Sequence, residues 1–207
     1  MGILKKYNDN EVNKPQNDIV ALENRFVFQQ PITLVINTKL LSFSSNDFTI
    51  KDTQGRDYFK CKGSSLNITN KKTLYDLYDL PLLNIQNQLL TLKDKTDIYL
   101  GANSEQIVAT IKQKSFMNVN KYVLEFYNIA NECVEFLDMK CDLMGSSCGI
   151  FYGKEKEGAP MISRISRKID TTQILSPEGN YYVEIAPGVD ISLIVAATIC
   201  FDQLKKE

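Results

Sequence analysis

The sequence contains no histidine and no tryptophan. Losing histidine removes the commonest general base and the commonest metal ligand at neutral pH. Ser-His and Cys-His nucleophilic pairs and histidine-held metals are therefore excluded. Cysteine is sparse. Cys61, Cys133, Cys141, Cys148 and Cys200 are odd in number, and no two have C-x-x-C spacing. Such a set makes no disulfide framework, and Cys133, Cys141 and Cys148 lack a fourth ligand for zinc. The expectation is five reduced thiols acting as small buried hydrophobes in a cytoplasmic protein, with no metal and no cofactor.

An excess of one charge is missing too. Lysine and arginine number 24 against 25 acidic residues, and both signs are spread along the chain. No basic half or tail marks a nucleic-acid partner. The N-terminus has no apolar leader, since Ile3 and Leu4 run straight into Lys5 and Lys6. Gly2 invites myristoylation, but Lys6 stands where that motif wants Ser or Thr.

What is present is an ordinary globular balance: 207 residues, 43% hydrophobic and 24% charged. That length suits one domain with a sizeable core. Residues 1–17 are polar, Asn-rich and aperiodic, and read as a flexible arm preceding a domain over 18–207. From there short β-runs alternate with turn signals. Residues 48–51 and 58–62 flank Asp52-Thr53-Gln54-Gly55 as a hairpin, with Phe59 and Cys61 on one face and Lys60 and Lys62 on the other. Runs at 32–41, 73–77, 82–85, 97–100 and 106–112 continue the first half, and Ile107, Ala109 and Ile111 are expected on one face. Runs at 122–127, 134–139, 148–152, 161–169 and 181–186 make up the second half. About a dozen strands at this spacing indicate an all-β sandwich or barrel.

Near the C-terminus the pattern changes. Residues 189–201 read Val-Asp-Ile-Ser-Leu-Ile-Val-Ala-Ala-Thr-Ile-Cys-Phe, and a helix is expected at about 188–204. Ile191, Leu193, Ile194, Val195, Ile199 and Phe201 fall all round its axis, so it must be buried in protein or lipid. Asp190 and Asp202 bracket only about 18 Å of helix, against about 30 Å of bilayer hydrocarbon. The helix is therefore expected to be surrounded by strands, not lipid.

At this point a resemblance can be named. The turn Asp52-x-x-Gly55 with Phe59, then Leu74-Tyr75-Asp76, Ile98-Tyr99-Leu100-Gly101, Ile150-Phe151-Tyr152-Gly153, Ile165-Ser166-Arg167-Lys168 and Tyr182 to Asp190, resemble the LURP-one-related family in order and spacing. That family is similar in fold to the tubby C-terminal domain and the phospholipid scramblases. The resemblance implies a twelve-stranded antiparallel β-barrel closed around a central hydrophobic C-terminal helix. It implies no particular chemistry. No tubby-like basic signature, acidic calcium loop or cysteine-rich palmitoylation stretch is present.

Two functions remain in view. One is a non-enzymatic binding or regulatory scaffold, monomeric, with a protein partner. The other is peripheral membrane attachment through anionic lipid headgroups such as phosphoinositides, for which Arg164, Arg167 and Lys168 are the best local cluster, joined by Lys154 and Lys156. Alternation on a strand puts Arg164 and Lys168 on one face and Arg167 on the other. For an enzyme, Asp76 and Asp79 are the nearest pair of carboxylates, but a turn before Leu80-Pro81 explains them as well. A lumen filled by its own helix leaves no interior substrate pocket.

Overall fold

A computed structural model describes residue 7 and residues 10–37, 47–63, 71–87, 95–114, 120–142, 147–167 and 180–204. Twelve strands form one closed antiparallel barrel. The first six are β1 (Ile32–Asn37), β2 (Phe48–Asp52), β3 (Asp57–Gly63), β4 (Lys72–Tyr75), β5 (Pro81–Asn87) and β6 (Lys95–Leu100). The others are β7 (Ile107–Gln113), β8 (Lys121–Asn128), β9 (Cys133–Cys141), β10 (Ser147–Tyr152), β11 (Met161–Ser166) and β12 (Asn180–Ile185). Each strand pairs with its sequence neighbour, and β1 closes the ring on β12 from Ile32↔Ile185 to Asn37↔Asn180. Closure leaves no free sheet edge.

Alternation places the core. Leu34 and Ile36, Phe48 and Ile50, Phe59 and Cys61, Leu124 and Phe126, and Val183 and Ile185 are buried, while Lys60 and Glu125 between them are only partly so. These inward side chains share one cluster with the C-terminal helix α1 (Ile191–Leu204). Residues 191–203 of that helix are all buried. Helix α1 approaches both β12 and β5, which lie on opposite sides of the ring. It thus fills the lumen, as its all-round apolar surface requires. No helix among the described residues is long and apolar enough to cross a membrane.

The two barrel ends differ. At one end the hairpins β2–β3, β4–β5, β6–β7, β8–β9 and β10–β11 turn, and α1 begins. There the helix needs acceptors for its first N–H groups. Asp190 supplies them: one carboxylate oxygen accepts from the Ser192 N–H (2.9 Å) and hydroxyl (2.6 Å). Its other oxygen accepts from the N–H groups of Ala21 (3.0 Å) and Leu22 (2.9 Å). One buried residue thus caps the helix and fastens the incoming chain across the barrel mouth. Burial pushes the Asp190 carboxyl above its ordinary value, against the pull of those donors. Asn128 adds a second fastening, its side-chain oxygen accepting from the Val20 N–H at 3.0 Å. Gly188 lies where this segment crosses, at φ 78°, and a Cβ there would sit 2.5 Å from the Asp18 carboxylate. Only glycine fits that crossing.

The segment expected to be a flexible arm has described contacts. Tyr7 is buried against Phe151 and Met161, and the Asn13 N–H donates to the Met161 carbonyl at 2.8 Å. Gly2 and Lys6, which bear on myristoylation, lie outside the described residues.

Candidate functional site

The residues singled out from sequence are scattered by the fold. Arg164 projects outward from β11, opposite Glu184 of β12 and Gly149 of β10. Its guanidinium pairs with the Glu184 carboxylate and donates to the carbonyls of Tyr7 (3.3 Å) and Asn10 (3.1 Å). It therefore ties Tyr7 and Asn10 to the barrel wall. Arg167 turns to the other side, its guanidinium carbon 5.4 Å from the centre of the buried Tyr181 ring. Lys168 lies outside the described residues. Lys154 pairs with Glu157 at 2.8 Å. Arg164 and Arg167 therefore present no joint anion site.

Asp76 and Asp79 hold the β4–β5 turn. One Asp76 oxygen accepts from the N–H groups of Tyr78 (2.9 Å) and Leu80 (3.0 Å), and the other takes Arg25 at 3.1 Å. Burial pushes the Asp76 carboxyl up, but those donors outweigh it and hold it below its ordinary 3.8. Lys60 and Lys62 hold Asp79 low in the same way. Both carboxylates are engaged in local structure. Cys133 and Cys141 stand at opposite ends of β9, about 26 Å apart at about 3.3 Å per residue. They cannot share a metal.

A different surface emerges from burial. The exposed large hydrophobics among the described residues are Phe28, Leu77, Tyr78, Leu80, Leu100, Ile107, Tyr127, Ile129, Val134 and Phe136. Every one sits at the end of the barrel where the hairpins turn. All but Phe28 come from the three successive hairpins β4–β5, β6–β7 and β8–β9. Tyr78 at the β4–β5 tip is 91% exposed. On the outer face of β8–β9, Tyr127 stands opposite Val134, and Phe136 is one outward step along from Val134. These three are 50%, 54% and 51% exposed. An exposed apolar concentration on one side of a fold has the physical character of an interaction surface.

Strand geometry explains how these side chains reach the outside. Hairpins β2–β3, β4–β5, β6–β7 and β10–β11 each carry a register shift near the turn. In β6–β7 the shift puts Ile107 opposite Tyr99 and leaves Val108 unpaired. A bulge of that kind reverses which face a residue takes. Ile107 is accordingly exposed, while Ala109 and Ile111 remain in the core, so the expected common face for all three holds only for the last two. Hairpin β8–β9 has no such shift and runs in register from Lys121↔Lys140 to Asn128↔Cys133. Its outward positions are therefore readable directly: Val123, Glu125 and Tyr127 on one strand, Val134 and Phe136 on the other. Where β3 places Lys60 and Lys62 outward, this ribbon places apolar groups. That contrast was the available sequence signal, and a search for charge clusters passes over it.

Charge adds to the picture. Loops 76–80, 101–106 and 129–132 at the tips of the three hairpins contain Asp76, Asp79, Glu105 and Glu132 and no lysine or arginine. Asp76 is met by Arg25 and Asp79 by Lys60 and Lys62, so these tips carry both signs at close range.

Comparison with known proteins agrees with the fold. The family model described as LURP-one-related matches residues 32–202. Protein LURP-one-related 10 of Arabidopsis thaliana is 26% identical over 186 residues, covering 88% of this chain and 94% of its own length. Protein LURP-one-related 15 of the same plant is 22% identical over 197 residues, covering 93% and 89%. An X-ray structure of an Arabidopsis thaliana protein superposes with a TM-score of 0.63 at 18% identity, over 89% of this chain and 98% of that one.

Proposed function

The chain belongs to the LURP-one-related family, and on that premise we propose that it is a non-enzymatic binding scaffold that docks a protein partner on the apolar end of its barrel. The observation that carries this reading is the gathering of exposed apolar side chains on hairpins β4–β5, β6–β7 and β8–β9. A filled lumen supports it further, because binding is then left to the outer surface. Exposed aromatic and branched side chains of this kind favour a partner that presents an apolar surface of its own. Five unbonded thiols suit a reducing compartment, and we place the protein in the cytosol.

Anionic lipid headgroups at Arg164, Arg167 and Lys168 are the competing reading. It has less support, because Arg164 is engaged with Glu184, Tyr7 and Asn10.

The test is affinity capture with the intact chain and with a Tyr127→Lys, Phe136→Lys double variant, both at exposed positions that spare the core. A stoichiometric partner held by the first and lost by the second supports the proposal. Partners retained equally by both would remove this face from consideration. Sedimentation with phosphoinositide-containing vesicles separates the alternative: binding abolished by Arg167→Ala and Lys168→Ala would favour the lipid reading.

A further inference from the structure

Cysteine was expected to serve this protein as packing, and Cys61 and Cys200 do lie buried in the core. Cys141 and Cys148 are placed differently. They stand directly opposite each other on β9 and β10, at the end of the barrel remote from the apolar surface. In the next pair the Asp142 N–H donates to the Ser147 carbonyl at 2.9 Å. Since hydrogen-bonded and non-hydrogen-bonded pairs alternate, Cys141 and Cys148 form a non-hydrogen-bonded pair. In such a pair the Cα atoms lie about 4.5 Å apart, at the near edge of the roughly 4.4–6.8 Å that a disulfide spans.

The side chains have closed the remaining gap. The Cys141 and Cys148 Sγ atoms are 2.7 Å apart. Their access differs: Cys148 is buried and Cys141 is partly exposed. One sulfur can meet a reagent from solvent, and the other waits behind it. Cys133 has no such neighbour, since it sits at the far end of β9 beside Glu135 at 3.8 Å.

We propose that Cys141 and Cys148 are a reversible disulfide site, closed by a small-molecule disulfide such as oxidised glutathione. The Cys141 thiolate attacks one sulfur of the oxidant, forming a mixed disulfide and releasing one thiolate. Cys148 then loses its proton to solvent and attacks the Cys141 sulfur, releasing the second thiolate. The chain gives up two electrons and two protons, and the oxidant becomes two thiols. The new bond ties β9 to β10 around residues 142–147. Burial pushes the Cys148 thiol well above its ordinary value, so the second step is slow at neutral pH and quickens as pH rises.

The experiment treats the fully reduced, intact chain with oxidised glutathione and follows it by intact mass and peptide mapping. The expected product has lost two hydrogens and two of its five alkylatable thiols, and its mapped link joins Cys141 to Cys148. Cys148→Ser should instead accumulate a stable glutathione adduct on Cys141, while Cys133→Ser should close the link at the unaltered rate. Reduction by dithiothreitol should restore all five thiols. A new bond joining any other pair, or glutathione held on Cys141 of the unaltered chain with no internal link, overturns the proposal. The mapping on the unaltered chain decides this even where a serine variant folds poorly.

Discussion

Replacing Asp190 by alanine tests how the barrel mouth is held shut. The carboxylate accepts from the buried N–H groups of Ala21 and Ser192, the half-buried N–H of Leu22 and the Ser192 hydroxyl, with a longer bond from the Leu193 N–H at 3.4 Å. Alanine leaves the three closer N–H groups, of Ala21, Leu22 and Ser192, without an acceptor, at about 1–3 kcal/mol each. The sum, about 3–9 kcal/mol, is a large part of the roughly 5–15 kcal/mol that holds a domain of this kind folded. At about 2–4 °C per kcal/mol for a chain of this length, the melting midpoint should fall by at least about 6 °C, and at the upper end the chain should not fold. Asparagine keeps one acceptor oxygen and turns an amide toward the other donors, so its loss should be intermediate. Ser192→Ala removes a single hydrogen bond and should cost about 0.5–1.5 kcal/mol. Circular dichroism melts of the four proteins provide the measurement. An alanine variant melting within about 2 °C of the unaltered chain would refute the reasoning that this carboxylate seals the barrel.

Ile194→Asp puts a carboxylate at a fully buried position of α1 and should abolish cooperative unfolding, read by urea titration; a soluble variant with a sharp transition would mean that the helix is not the core of the barrel. Gly149→Ala places a Cβ 2.9 Å from the Phe151 ring, 3.1 Å from Tyr7 and 3.2 Å from the Met161 sulfur, and should cost about 1–3 kcal/mol by overpacking, with faster proteolysis before Asn10. Asp52 and Asp76 both sit below the ordinary 3.8 despite burial, drawn down by turn N–H groups and by Arg56 and Arg25. Their contribution to stability is therefore present above that value and lost as pH falls through and below it. Melting midpoints measured from pH 7 to pH 2 should show that loss, and Asp52→Asn with Asp76→Asn should flatten it.

The strands themselves were legible because most of the barrel wall obeys a period of two, while closure into a twelve-stranded barrel was implied by the family resemblance. Phe59 and Cys61 against Lys60 and Lys62 show the inward and outward faces without any structure, and the all-round apolar run from Ile191 to Phe201 demands burial. The bulges were not legible. Nothing local to Gln106-Ile107-Val108 shows that Val108 will be left unpaired and Ile107 turned outward, because a bulge is a property of how two strands pair and not of one strand's sequence. The fates of the basic residues were hidden for a similar reason. Arg164 is claimed by Glu184, twenty residues on, and by carbonyls more than 150 residues earlier. Proximity in sequence to Arg167 gave no hint of that. Likewise Cys141 and Cys148 look unrelated until the β9–β10 register sets them face to face.

The central claim is that the apolar end docks a protein, and the most direct measurement is site-specific photo-cross-linking. A photoreactive phenylalanine analogue at Phe136, and separately at Tyr127, should join the chain to the same protein partner in cells. The analogue at Thr49, outward on β2 away from the three apolar hairpins, should not. Cross-links from Thr49 equal to those from Phe136 and Tyr127, or none from either apolar position while the protein sediments with lipid vesicles, would contradict the account.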